Sequence, residues 1–120
     1  MQITNMLEQI KKHPDFANVG MILCHNGVVR ATARDGRNVK GLKVTVDHEK
    51  LEQIIGEQSQ KPGIIDIQVN IVENTNLAVG EDIMHLMVAG DIRENVISVL
   101  KDTLDAIKLQ VTSKTEYFVE

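Results

Sequence analysis

The chain has 120 residues, enough for one domain with a single core. Hydrophobic residues make up 42% and charged residues 25%, the balance of a soluble globular protein. The net charge is −4 with no long Arg or Lys block, and aromatic content is 2% with no Trp, which argues against nucleic-acid partners, anionic membranes and base-stacking platforms.

Ile3, Met6, Leu7 and Ile10 recur at helical spacing, and His13-Pro14-Asp15 ends that helix. Lys11, Lys12 and acidic residues interrupt the opening stretch, so no signal peptide is expected there. No segment approaches membrane-spanning length, and a cytoplasmic location is the expectation. Val19 to Cys24 and Val28 to Thr32 are β-prone runs separated by His25-Asn26-Gly27. Asn-Gly suits a two-residue hairpin, while a continuous strand bent at Gly27 fits the same residues, and both readings stand. Cys24 is the only cysteine, so it forms no internal disulfide, and its apolar run predicts a buried, reduced thiol. His25 would point to the opposite face of a strand, which disfavours a Cys-His catalytic couple.

Arg34 to Asn38 is a polar turn, suited to a mobile loop, and Leu42 to Val46 alternates as a half-buried strand does. Asp47 or His48 starts a second helix with Leu51, Ile54 and Ile55 on one face, and Lys61-Pro62-Gly63 closes it. Ile64 to Val72 alternates again, with Ile65, Ile67, Val69 and Ile71 opposite Asp66, Gln68 and Asn70. Glu73 to Asn76 is a turn. Gly80 and Gly90 then bound an apolar run of strand length.

Asp91-Ile92-Arg93-Glu94 has the form of a capping box, with Asp91 as N-cap and Glu94 reaching back to its amide. Ile92, Val96, Val99, Leu100, Thr103, Leu104 and Ile107 give the following helix one buried face. Arg93 falls in the first turn, at the positive end of the helix dipole, where it makes a candidate anion site; the bland alternative is an arginine snorkelling into water. Lys108 and Lys114 add positive charge beyond the helix, and Leu109 to Phe118 forms a last strand. Short turns between strands favour an α+β fold, a mixed, largely antiparallel sheet with helices packed on one side, in a single domain over residues 1–120.

No metal site is expected, because His13, His25, His48 and His85 are scattered and no second cysteine exists. His85, alternating with apolar residues, reads as a structural histidine. Asp47-His48-Glu49 reads as helix capping and solvated surface. Phosphate loops, nucleotide-binding glycine patterns and nucleophile elbows are absent, and no resident cofactor is implied.

Two stretches resemble the large, catalytic subunit of molybdopterin synthase, often called MoaE. Gly20 to Arg30 is similar to a family strand with glycine, isoleucine, glycine, valine and arginine at the places of Gly20, Ile22, Gly27, Val29 and Arg30. Gly80 to Arg93 is similar in order and spacing to the family's glycine, polar pair, apolar strand and helix-opening arginine, and Leu77 also fits. Lys108 falls where the family keeps a catalytic lysine, and Lys114-Thr115-Glu116 resembles the family's lysine-basic-glutamate run. The likeness spans roughly residues 18 to 118.

The resemblance implies the MoaE-like α/β hammerhead fold and a sulfurtransferase that converts cyclic pyranopterin monophosphate into molybdopterin. Sulfur would arrive as a thiocarboxylate on the C-terminal glycine of a small ubiquitin-like carrier subunit, MoaD-like. It also implies a homodimer, whose subunits complete each other's pockets, and a heterotetramer with two carriers. By that likeness Arg30 and Arg93 would hold phosphate, Lys108 would act nearest the transferred sulfur, Lys114 would stabilise developing charge and Glu116 would orient the lysines. The chain departs from the family at Ile92, where histidine is usual, and at Val72-Glu73, which replace a His-Arg pair. The family's acidic-aromatic segment is Val44-Thr45-Val46-Asp47 here. Gln110-Val111-Thr112-Ser113 replace a Pro-aromatic-Trp run and shorten the lysine spacing by one residue, so a bulge would be needed to keep Lys114 in the pocket. Those departures leave a second reading, a non-catalytic relative that binds the carrier or another partner, and a third, a small-anion-binding domain unrelated to sulfur transfer.

Overall fold

The structure is a computed structural model describing residues 3–120. Helix α1 spans Ile3–Lys11 and is followed by a short 3₁₀ turn, Phe16–Asn18. Strand β1 runs over Met21–Val28 without interruption, with its pairing shifted between Gly27 and Val28. The Asn-Gly pair thus makes a bulge rather than a hairpin, because a strand long enough to match all of its neighbour keeps more ladder bonds than two short ones would. Then come β2 (Val39–Val46), α2 (His48–Ser59), β3 (Ile64–Ile71), β4 (Leu77–Ala78), β5 (Asp82–Gly90) and α3 (Arg93–Ala106). A π turn, Ile107–Val111, leads from α3 into β6 (Thr112–Phe118).

Every strand pairing is antiparallel, and the strands divide into two sheets of three, ordered β1-β5-β3 and β4-β2-β6. The α+β class stands, but the sheet is split. Helices also pack on both faces of the first sheet rather than on one. Leu86 and Val88 of β5 meet Val96 and Val99 of α3, while Met87 and Ala89 meet Met6 and Ile10 of α1. That explains why β5 reads as a continuous apolar run: a strand covered on both faces has no wet side to mark with polar residues.

A second pair of clusters joins the sheets. Val29, Leu42, Val44 and Leu77 form one, and Met84, Ile107, Val111 and Ile54 form the other, with Val46, Ile71 and Ile83 touching both. The Arg34–Asn38 segment is a closed turn. Ala33 N–H donates to Arg37 O at 2.9 Å, Gly36 N–H to Ala33 O at 2.9 Å, and Arg37 pairs with Asp35 at 2.8 Å while lying over the Phe118 ring.

Two side-chain expectations change. Cys24 is exposed, because β1 is an edge strand and its face toward α1 extends past that short helix. Partial burial raises the thiol pKa, so it stays protonated at neutral pH. His85 is buried, with Nε2 3.6 Å from Asp82 Oδ2, in keeping with a structural role. Asp47 caps α2, accepting from Lys50 N–H at 3.1 Å, and His48 pairs with Glu73 at 2.9 Å. Among the described residues no helix is long and apolar enough to cross a membrane.

Candidate anion and lysine site

The turn from β5 into α3 carries Arg93. Asp91 does not serve as N-cap; that position is Ile92, in extended backbone, and α3 begins at Arg93. Asp91 works from one residue further out, its Oδ1 accepting from Ile92 N–H at 2.7 Å and from Asn95 Nδ2 at 2.9 Å. The reciprocal arm of the capping box is missing: Glu94 lies 3.9 Å from the Arg93 side chain. The residues that lead into β1 and β3 tie down the turn. Gly20 N–H donates to Gly90 O at 2.8 Å, and Asp91 N–H to Gly63 O at 2.9 Å. Gly63 holds φ at +77°, and any Cβ there would strike the Asp91 carboxylate, so this position needs glycine.

The Asn95 amide, then the Ile92 N–H, hold the Asp91 carboxyl below its ordinary 3.8. A lowered carboxyl pKa stabilises the fold fully above the unfolded value and ceases to do so as pH falls through the folded one. Asp91→Ala is therefore expected to lower the melting temperature at pH 7. The deficit should shrink in scans taken below pH 4; equal melting temperatures at pH 7 would show that the carboxylate is idle.

Beside this turn is a hollow of about 410 Å³ bordered by Gly20, Met21 and Asp91 to Glu94. Another, of about 480 Å³, lies against β4 and is floored by Gly41 and Tyr117. Neither includes Lys108 or Lys114.

The remaining candidates gather at the other end of α3. Lys108 is exposed in the π turn, bracketed by the buried Ile107 and Val111. Lys114 and Glu116 face Val44 and Leu42 across the β6–β2 ladder. Cross-strand partners share a face, so both project from the inner side of the second sheet, the side of the Val29–Leu77 cluster. Their charges are 3.8 Å apart, with Lys114 half exposed and Glu116 more enclosed. The ladder from Thr112 to Glu116 is regular, without the bulge that the shortened spacing required; its one register shift lies beyond Glu116, where Val39 and Gly41 pair with Phe118 and Tyr117, and the chain leaves the helix through the π turn. Arg30 follows the buried Val29 at the same junction, with Nε donating to Thr32 O at 2.8 Å.

Arg93 is not with them. At about 1.5 Å per helical residue, α3 separates it from Lys108 by roughly 20 Å. Lys108, Lys114 and Glu116 therefore lie past the tail of α3, Arg30 follows the Val29 that packs on Leu42 and Val44, and Arg93 occupies the head of the helix.

Two residues near the lysines went unassigned in the sequence. Arg37 feels the charge of Glu116 and stacks on Phe118, 3.8 Å from the ring centroid. Burial, and then the charge of Lys108, lower the His25 pKa. Strand alternation carried a signal for His25, since it shares the parity of Met21 and Leu23. Arg37 had none, because only the fold returns its turn to β6.

Two antiparallel three-stranded sheets, an arginine at the head of α3 and lysines past its tail define an α+β domain with basic groups at both ends of one helix. The family model for the MoaE protein matches residues 2–110, and the chain belongs to the MoaE family. That family works in molybdenum cofactor biosynthesis, as the catalytic subunit of molybdopterin synthase. Among curated proteins none matches the sequence.

Solved structures share the fold. Molybdopterin synthase from Staphylococcus aureus is similar at 20% identity and TM-score 0.80, covering 100% of this chain and 87% of that one. Molybdopterin cofactor biosynthesis protein E from Burkholderia multivorans ATCC 17616 is similar at 20% identity and TM-score 0.76, covering 99% and 84%. A complex of subunits 1 and 2 of molybdopterin-converting factor from Helicobacter pylori 26695 includes a chain similar at 14% identity and TM-score 0.71, covering 100% and 85%.

Proposed function

We propose that this chain is a cytoplasmic sulfurtransferase, the catalytic subunit of a molybdopterin synthase, acting as one domain over residues 1–120. It converts cyclic pyranopterin monophosphate into molybdopterin with sulfur from the thiocarboxylated C-terminal glycine of a small ubiquitin-like carrier. The observation that carries this reading is the family match across residues 2–110. The two-subunit complex among the similar structures supports a small partner subunit.

Lys108 is the reactive amine in this scheme. Lys114 stabilises charge developing on the substrate, and Glu116, 3.8 Å from it, limits where that ammonium can go. Arg30 binds phosphate from the same chain. Arg93 is too far along α3 to join its own lysines, so it serves the site of a second copy. The protein is then a homodimer with two shared sites, and a heterotetramer once each site holds a carrier tail.

The direct test supplies thiocarboxylated carrier and cyclic pyranopterin monophosphate and follows single-turnover formation of molybdopterin. Conversion by the wild type is expected. A folded protein that captures the carrier without converting substrate would leave the non-catalytic relative as the better reading. Failure to bind carrier at all would favour the small-anion domain. Light scattering at micromolar concentration should report twice the chain mass; a stable monomer would remove the shared-site geometry.

A further inference from the structure

One ionisable group beside Lys108 has no part in the scheme above. His25 alternates with Met21 and Leu23 onto the face of β1 that packs on α3, and its cross-strand partner is Leu86. The ring extends over Gly27: Nε2 is 3.4 Å from where a Cβ of Gly27 would stand, and Met84 Cβ is 3.9 Å from the same point. Met84 packs against Ile107 and Val111, the residues that bracket Lys108. The imidazole is therefore half-buried on the side of the strand that meets the Lys108 turn.

Its neighbours on β1 and β5, Leu23, Gly27, Met84 and Leu86, do not titrate. Among the described charged groups Lys108 is the one that lowers the ring's pKa; the carboxylates of the adjoining elements are Asp82 of β5 and Glu94, Asp102 and Asp105 of α3, all exposed. Burial first, and the Lys108 cation second, hold the imidazole below its ordinary 6.5, so at pH 7 it is neutral with a free nitrogen lone pair.

We propose that His25 is the proton acceptor for the Lys108 amine, a catalytic pair built across β1 and the π turn. The proposal rests on Lys108 being the reactive amine. As the Nζ lone pair bonds to a carbonyl carbon, the C=O π pair moves to oxygen and the nitrogen becomes positive. One N–H bond then breaks, its electron pair stays on nitrogen, and the proton passes to the free ring nitrogen of His25, directly or through one water. The imidazolium returns that proton to the new alkoxide, leaving a neutral adduct and consuming no other reactant. A carboxylate at this position would bind the lysine as an ammonium and hold it charged; a neutral imidazole accepts its proton only as the amine reacts. Gly27 leaves the space that the ring occupies.

The test uses acetylation of Lys108 by a small aryl ester, followed residue by residue by mass spectrometry, in the wild type and in His25→Gln. At pH 7 the wild type is expected to react about 10-fold faster or more. That advantage should fade as the pH drops through the lowered pKa of the imidazole, where the ring takes up its proton. Equal rates at pH 7 would overturn the pairing. A second measurement leaves His25 intact: NMR titration of its ring should give a higher pKa in Lys108→Ala than in the wild type, and an unchanged value would also overturn it. A wild type that converts no pterin while keeping the acetylation advantage would sink the sulfurtransferase and leave the pair standing.

Discussion

Mixing Lys108→Ala with Arg93→Ala is expected to restore about a quarter of wild-type single-turnover conversion, although each variant alone is nearly inactive. Lys108→Ala removes the amine and should slow conversion by about 100-fold or more. Arg93→Ala removes the proposed phosphate-binding guanidinium, and no neighbouring residue of this turn could replace it, since Asp91 and Glu94 carry the wrong charge. The recovery follows from the length of α3. Arg93 and Lys108 sit at its two ends, roughly 20 Å apart, too far to grip one small substrate from a single chain. If each site takes Lys108 from one copy and Arg93 from the other, a mixed dimer has one site with both residues and one with neither. Random exchange places about half of the subunits in mixed dimers, and each of those has one intact site of two. No recovery after verified exchange would mean that both residues serve the same chain's site, or that Arg93 serves none.

Leu86→Ala and Met87→Ala should each destabilise the fold by about 2–5 kcal/mol, despite being adjacent on one strand. Both side chains have no exposed surface. They point in opposite directions, Leu86 into the cluster with Val96 and Val99 and Met87 into that with Met6 and Ile10. A sheet with one wet face would make one of the two substitutions nearly neutral. Here each leaves a cavity, and each should lower the melting temperature by about 4 °C or more per kcal/mol lost. The two are distinguishable by hydrogen exchange: Met87→Ala should loosen α1 first, Leu86→Ala should loosen α3. A near-neutral Met87→Ala would show that α1 contributes little cover to that face.

Most elements were legible in the chain because their causes are local. Ile65, Ile67, Val69 and Ile71 alternate with polar residues and form β3. The three-and-four spacing from Val96 to Thr103 forms α3 with those residues buried, and Asp47 caps α2. The Gly20–Arg30 and Gly80–Arg93 islands were sufficient to point to the family. At Asp91 the local rule misled, because the carboxylate is claimed by Ile92 and Asn95 and held in place by Gly63, a residue far away in sequence.

What the sequence determined by itself, then, was the kind of most elements, the largely antiparallel α+β class and the family, all of which follow from periodicity, turn chemistry and short islands of residue order. The tertiary structure decided what depends on which strands pair. Division into two sheets left β1 at an edge and exposed Cys24. Helices on both sides of β5 turned its uninterrupted apolar run into a strand with two buried faces. The β2–β6 register turned Lys114 and Glu116 inward, and the parallel course of β1 and α3 set His25 beside Met84, which packs on the turn that holds Lys108, while carrying Arg93 to the far end. Such placements come from hydrogen-bond ladders between segments distant in sequence, and no local pattern encodes them.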